Sequence, residues 1–89
     1  MARYLVERTF PEGLQAPAGA EGSEQLRAIV ERNSDDCVTW LHSYVSDDGE
    51  KTFCVYDAPN PEAIRKTARH NGLPVDRITQ VRVLDPYFY

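Results

Sequence analysis

Residues 37–57, CVTWLHSYVSDDGEKTFCVYD, constrain the fold more than any other stretch because they predict a β-hairpin. Two runs rich in Val, Thr, Tyr, Phe and Trp flank the acidic turn at residues 46–50. Strands prefer these β-branched and aromatic side chains, and a short Asp/Gly segment between two such runs is typical of a hairpin turn. The hairpin is therefore the fixed point from which the other elements can be arranged.

The length of the turn decides which residues face each other across the hairpin. A two-residue loop would place His42 opposite Val55, whereas a three-residue loop at 47–49 would place it opposite Cys54. The three-residue loop uses Gly49 in the left-handed conformation that such loops need. It also pairs aliphatic with aliphatic and aromatic with aromatic side chains, which a one-residue slip would undo. We therefore predict the three-residue loop.

This register gives the hairpin two faces of different character. One resembles an ordinary core face and carries Leu41, Val45, Phe53 and Val55. The other is aromatic, contains a His–Cys cross-strand pair, and carries Trp40, His42, Tyr44, Thr52, Cys54 and Tyr56. Since a surface of this kind rarely faces bulk water, we predict that a second subunit covers it, or that it lines a pocket.

Composition excludes several classes of function. The 89 residues suffice for one domain, and we predict a single domain over residues 1–89. A net charge of −4 argues against nucleic-acid binding, which needs a basic face. No apolar run approaches the ~18 residues of a membrane span, and no signal-peptide pattern begins the chain. Two cysteines are too few for a disulfide framework. We expect a cytoplasmic protein with free thiols and no membrane contact.

The remaining segments predict the order β-α-β-β-α-β. The hairpin is preceded by a strand and a helix and followed by a helix and a strand, at residues 3–10, 23–34, 60–72 and 77–84. Asn60 and Pro61 are typical of a helix start, and Gly72 of a helix end. Two βαβ units with right-handed crossovers, joined by a hairpin, give an α+β ferredoxin-like fold. Its strand order is 4-1-3-2, with both helices on one face.

The open face of this sheet collects the residues that can carry chemistry. If Val6 lies in the core, Glu7 points toward the aromatic face of the hairpin, and Arg82 on the last strand joins from the far side. The predicted site therefore consists of Glu7, His42, Tyr44, Cys54, Tyr56 and Arg82.

A metal pair is one interpretation of His42 and Cys54. Imidazole and thiolate suit nickel, copper or zinc, and Glu7 can add an oxygen ligand. However, the chain contains no CxxC, HxH or HExxH spacing. The alternative is structural: His42 hydrogen-bonds Tyr44 or Tyr56, and Cys54 packs as a small apolar side chain. The pattern leaves both interpretations open.

Two other chemistries receive less support. A catalytic Cys54–His42 pair would need oxyanion donors nearby, and no helix N-terminus or glycine-rich nest is predicted on this face. His70 ends a basic helical turn at residues 65–70, where cations complement the helix dipole. Its functional interpretation is an auxiliary metal ligand or an anion site.

The stretches RYLVERTFP, TWLHSYVSDDGEKTFCVYDAPN and ARHNGLPVDRITQV resemble a family of small bacterial proteins long described as a domain of unknown function. The W-x-H-S-Y, CVY-x-AP and GLP-x-DRI motifs recur there in the same order. An actinobacterial branch of that family is nickel-binding, with a ferredoxin-like fold and a dimer formed through the sheets.

This resemblance implies the ferredoxin-like fold and adds weight to metal binding. The first strand differs from that of the nickel-binding branch, which is richer in histidine and acidic residues. Here that strand offers only Glu7, followed by Arg8, a cation that should point to the other face. The resemblance supplies no catalytic residue that matches this chain.

The leading hypothesis is a cytoplasmic homodimer, formed through the open sheet face, that binds nickel or another divalent transition metal without turnover. His42 is its principal ligand, Cys54 and Glu7 are candidate ligands, and His70 is a further candidate. The second hypothesis is a cofactor-free oxygenase or isomerase with an aromatic pocket at the dimer interface. In that case His42 is the base, Tyr44 or Arg82 polarises the substrate, and the pocket is lined by Trp40, Tyr44, Tyr56 and Arg82. The third hypothesis is a purely structural oligomerisation module.

Overall fold

The structure is a computed structural model that describes residues 1–13 and 20–87, with residues 20–23 described as backbone only. Its elements are β1 (Ala2–Thr9), α1 (Ala20–Asp35), β2 (Thr39–Val45), β3 (Lys51–Ala58), α2 (Pro61–Asn71) and β4 (Arg77–Val81). The strands form one antiparallel sheet in the order β2-β3-β1-β4. This order is the predicted 4-1-3-2 viewed from the other side, so the ferredoxin-like fold is confirmed.

Two element boundaries differ from the prediction by three residues each. Helix α1 begins at Ala20 rather than residue 23, and β4 ends at Val81 rather than residue 84. Strand β4 ends where its pairing with β1 ends, at Arg3 opposite Val81. Residues 82–84 therefore have almost no β1 left to pair with, and Val83 is exposed.

Helix α2 begins and ends as its sequence predicts. The Asn60 side chain accepts a hydrogen bond of 2.9 Å from the Ala63 amide, which satisfies a free donor of the first turn. Gly72 is left-handed, with φ of 66°, and the Leu73 amide donates to the Ala68 carbonyl at 2.9 Å. This cap stops the helix just before the chain turns into β4.

Both helices lie on one face of the sheet, and the core lies between them and that face. Its buried members are Tyr4, Val6, Val38, Cys54, Tyr56, Ala58 and Ile64. Val6 is fully buried, as predicted. The predicted assignment of the two faces of β3 is wrong, however, because Thr52, Cys54, Tyr56 and Ala58 are buried while Phe53 and Val55 face away from the helices. The core face of this strand is therefore the one predicted to be open.

A β-bulge in β2 changes the pairing within the hairpin. Trp40 lies opposite Tyr56, as predicted, but the register shifts between Trp40 and His42, and beyond the shift His42 lies opposite Val55. The turn has four residues rather than three, since the Ser46 amide donates to the Lys51 carbonyl at 2.9 Å. The predicted pairing of His42 with Cys54 is therefore wrong. Gly49 does adopt the expected left-handed conformation, with φ of 74°.

The C-terminal ends of the two helices are joined by polar side chains. The side-chain oxygen Oδ1 of Asn33, a buried residue of α1, accepts hydrogen bonds from the Thr67 hydroxyl at 2.8 Å and from the side-chain amide of Asn71 at 3.1 Å. Asp36, which follows α1, accepts from His70 Nδ1 at 2.9 Å and lies 3.7 Å from Lys66 Nζ. Only 4% of the Asp36 side chain is exposed. The basic end of α2 thus has a carboxylate partner from α1.

Asp36 should make stability depend on acid pH. Burial raises its pKa, but the hydrogen bonds from His70 and Thr67 and the charges of His70 and Lys66 outweigh burial and leave the pKa below the ordinary value of 3.8. A lowered folded-state pKa stabilises the protein fully above the unfolded-state value, and this stabilisation is lost as the pH falls through the folded-state value. We expect urea unfolding to show Asp36→Asn to be less stable than the parent at pH 7, with the difference shrinking below pH 3.8.

The matched control is Asp35→Asn, because Asp35 is exposed and its side chain makes no hydrogen bond or ion pair with the described residues. This variant should follow the parent at every pH. A difference between Asp36→Asn and the parent that stays constant with pH would contradict the role given to the Asp36 charge.

Candidate functional site

The structure divides the predicted site residues between the two faces of the sheet. Cys54, Tyr56 and Trp40 lie on the helix side, whereas Glu7 and His42 lie on the open side. Tyr44 is on the open side with His42, and Arg82 follows the end of β4. The bulge causes this division, because without it His42 would be on the same face as Cys54. His42 and Cys54 therefore cannot bind the same ion within one chain.

On the open face, His42 is exposed and in contact with Tyr44. The two rings meet edge to face, with centroids 5.3 Å apart and planes at 87°. Among the described residues, His42 makes no side-chain hydrogen bond, so the expected hydrogen bond to Tyr44 or Tyr56 is not formed. Either imidazole nitrogen is therefore available to bind another group, such as a metal ion.

Glu7 shares the open face with His42 but is not its neighbour in the sheet. Strand β3 lies between β1 and β2, and Glu7 lies opposite Phe53 whereas His42 lies opposite Val55. Glu7 also faces Arg77 on β4. No group of three His, Cys, Asp or Glu side chains suited to a metal occurs among the described residues.

The other two candidate ligands have partners elsewhere. Cys54 is in the core, where its sulfur lies 3.7 Å from the Thr52 hydroxyl. His70 points toward Asp36 at the helix ends, next to Lys66. That histidine has one nitrogen engaged and a cation close by, and a nearby cation opposes the binding of a metal dication.

An aromatic-lined cavity is present, but on the helix side of the sheet. It has a volume of about 680 Å³ and lies between α1 and strands β1 to β3. Trp40 and Tyr56 line it, as expected for a pocket, whereas Tyr44 and Arg82 do not. Arg82 instead borders a separate shallow groove with Arg3 and Asp57. A pocket between two copies of the chain stays a prediction.

The cavity exists because α1 does not pack closely on the sheet. Leu26 and Ile29 of α1 line the cavity, and Leu26 is 48% exposed. Val30 is also exposed. The helical spacing of these three residues indicates one apolar face, but it carries no information about the distance between that face and the sheet.

Arg8 is the functional candidate that the sequence analysis did not develop. It lines the cavity and is only 2% exposed, yet its Nε and Nη1 atoms have no hydrogen-bond partner among the described residues. Its guanidinium carbon lies 5.6 Å from the centre of the Tyr56 ring. Strand alternation was a usable signal, since Arg8 follows the core residue Val6 by two positions and so shares its face.

The aromatic ring of Tyr56 packs against this guanidinium. Burial raises the pKa of its phenol above 10, although the nearby charge of Arg8 opposes part of that rise. The phenol is therefore neutral at physiological pH. In that form it leaves the positive charge of Arg8 uncompensated.

No helix within the described part of the chain is long and apolar enough to cross a membrane.

Comparisons with known proteins agree with the fold and identify a family. The crystal structure of SCO4226 from Streptomyces coelicolor A3(2) superposes with a TM-score of 0.72, covering 94% of this chain and 100% of that one. The two sequences are 15% identical, so this likeness concerns the fold. No curated protein sequence matches the chain. The family model described as nickel responsive protein SCO4226-like matches residues 4–81. The chain therefore belongs to the SCO4226-like family of nickel responsive proteins.

Proposed function

We propose that this protein is a cytoplasmic homodimer that binds nickel, or another divalent transition metal, through His42 on the open sheet face. The observation that carries the proposal is that the two histidines of the chain differ in their side-chain hydrogen bonds. The chain belongs to a family named for its response to nickel. His70 is bonded to Asp36. His42 is exposed, and both of its nitrogens are free of side-chain hydrogen bonds within the described residues.

The ligand set of one chain is incomplete, which is why the proposal includes a second copy. Within the described residues the open face offers the single imidazole of His42, with Glu7 two strands away, and no group of three or more metal-binding side chains occurs there. A two-fold dimer brings the same patch of both subunits together. The second copy then supplies further imidazole and carboxylate ligands, a set of the kind that divalent nickel accepts.

The composition of the open face supports such a dimer. Its centre carries Leu5, Phe53 and Val55, which the helices do not cover and which are only partly buried. An ion pair of 3.1 Å between Arg3 and Asp57 lies toward its edge. An apolar centre within a charged rim is the usual organisation of a protein–protein interface. We propose that the metal and the apolar centre together hold the two copies, with no chemical turnover.

The ligand role of His42 is tested by His42→Ala in a protein without a histidine tag. Titration calorimetry should show the nickel affinity falling at least about 100-fold, since even partners outside the ligand set are worth 10- to 100-fold. The matched control is His70→Gln, which removes the other imidazole of the chain and should bind nickel like the parent. Equal affinity in His42→Ala and the parent would contradict the proposal.

The role of the second copy is tested by Val55→Glu. A carboxylate in the centre of the open face should separate the copies, because burying an unpaired charge costs several kcal/mol. Sedimentation velocity should give a dimer for the parent and a monomer for the variant.

Val83→Glu is the control, because Val83 is exposed beyond the end of β4. It should remain a nickel-binding dimer. A monomeric parent that binds one nickel ion per chain would show that one copy is sufficient, and would contradict this part of the proposal.

A further inference from the structure

The cavity between α1 and the sheet contains a buried positive charge that nothing described in the structure neutralises. Arg8 is 2% exposed, and two of its three guanidinium nitrogens have no hydrogen-bond partner among the described residues. It lies against Tyr56, with its guanidinium carbon 5.6 Å from the centre of the ring, and that phenol carries no charge to offset it. Buried polar groups are nearly always paired, and an unpaired buried charge is among the most destabilising features a fold can contain. Such a group indicates a missing partner.

The lining of the cavity indicates the sign of that partner. Two arginines, Arg8 and Arg32, are among the described lining residues, and no aspartate or glutamate is. This is unexpected in a chain with a net charge of −4. Arg32 is exposed to solvent and hydrogen-bonded to Asn71, which leaves Arg8 as the buried cation of the described lining. The electrostatic complement of the cavity is therefore one negative charge.

The rest of the lining indicates an apolar body. Leu26 and Ile29 of α1 face Trp40 and Tyr56 of the sheet across the cavity. The indole N–H of Trp40 donates to the Ser43 hydroxyl at 2.8 Å, so this ring offers an apolar surface with its polar group already satisfied. A volume of about 680 Å³ lies within the range of small-molecule sites. Protein interiors are otherwise close-packed, with few voids larger than a water molecule.

We propose that this cavity binds a small organic monocarboxylate, with its carboxylate on the Arg8 guanidinium and its apolar body between Trp40 and α1. A carboxylate is planar, and it can accept two parallel hydrogen bonds from a guanidinium. Its single charge matches the one unpaired arginine, whereas a phosphate monoester carries nearly two charges. The site lies on the opposite face of the sheet from His42, so this proposal stands independently of the metal.

The chain contains a direct reporter of binding, because Trp40 is its single tryptophan and lies in the cavity wall. The test is a titration of Trp40 fluorescence with decanoate, in the presence of a metal chelator so that no bound metal can take the carboxylate. 1-Decanol is the matched neutral ligand. Decanoate should give a saturable change, and 1-decanol should bind at least ten-fold more weakly. No saturable change with decanoate, or equal binding of the two ligands, would overturn the proposal.

Arg8→Met and Arg8→Lys locate the charge that is recognised. Methionine keeps an apolar chain of similar length, so Arg8→Met should bind decanoate at least ten-fold more weakly than the parent and lose the preference over 1-decanol. Arg8→Lys keeps the charge and should retain part of the preference. Unchanged decanoate affinity in Arg8→Met would overturn the proposal.

Stability provides a readout that is separate from binding. Replacing an unpaired buried charge with an apolar side chain removes a destabilising group, so ligand-free Arg8→Met should have a higher Tm than the ligand-free parent. Decanoate should raise the Tm of the parent and have little effect on that of Arg8→Met. A lower Tm for ligand-free Arg8→Met would show that Arg8 is paired in the free protein and would overturn the proposal. If Arg8→Met does not fold, the comparison of decanoate with 1-decanol on the parent still decides.

Discussion

The β-bulge at Leu41 determines which side chains of β2 meet the helices and which do not. Before it, Trp40 pairs with Tyr56 and contacts the core. After it, Ser43 and Val45 line the cavity, while His42 faces the open side. A bulge inserts one unpaired residue, so the positions that point toward the helices are odd-numbered on one side of the bulge and even-numbered on the other. In this protein the inserted residue separates an imidazole from a thiol that would otherwise be neighbours on one face.

Two chemically distinct surfaces result from that separation. The open face carries an exposed imidazole around a partly buried apolar centre that includes Phe53 and Val55. The helix face carries a cavity with a buried guanidinium, Arg8, above the Tyr56 ring. The sheet lies between them, so a metal on one face and an organic anion on the other would not compete for ligands. Each proposal can consequently fail without affecting the other.

Local sequence signals were sufficient for the fold and for α2. The cap at Asn60, the left-handed Gly72 and the β-α-β-β-α-β order each follow from chemistry within a few residues. The hairpin register did not follow, because both candidate registers occur in the structure, one on each side of the bulge. Choosing a register by matching apolar side chains across the hairpin assumes that the pairing of the two strands is uninterrupted. The turn residues gave a partial indication of the longer loop. The Asp48 carboxylate accepts hydrogen bonds within it, from the Ser46 hydroxyl at 2.6 Å and from the Glu50 backbone amide at 2.9 Å.

The candidate sites depended on this register, and so they were less predictable than the fold. Strand alternation correctly placed Val6 in the core and Glu7 on the open face. The same alternation places Arg8 beside the core, but whether an arginine there is paired depends on side chains from distant parts of the chain. Likewise, the apolar stripe of α1 indicates which face is turned inward, and only the packed structure shows that a cavity separates it from the sheet.

X-ray absorption at the nickel edge tests the separation of imidazole from thiol most directly. The sample is the nickel-loaded Cys37→Ser variant, because Cys37 is an exposed free thiol that could bind nickel by itself, and Cys54 is then the remaining sulfur of a cysteine. The account predicts imidazole and oxygen ligands with no sulfur in the nickel coordination sphere. A nickel–sulfur bond would require Cys54 and the metal to share a face of the sheet, and would contradict the account.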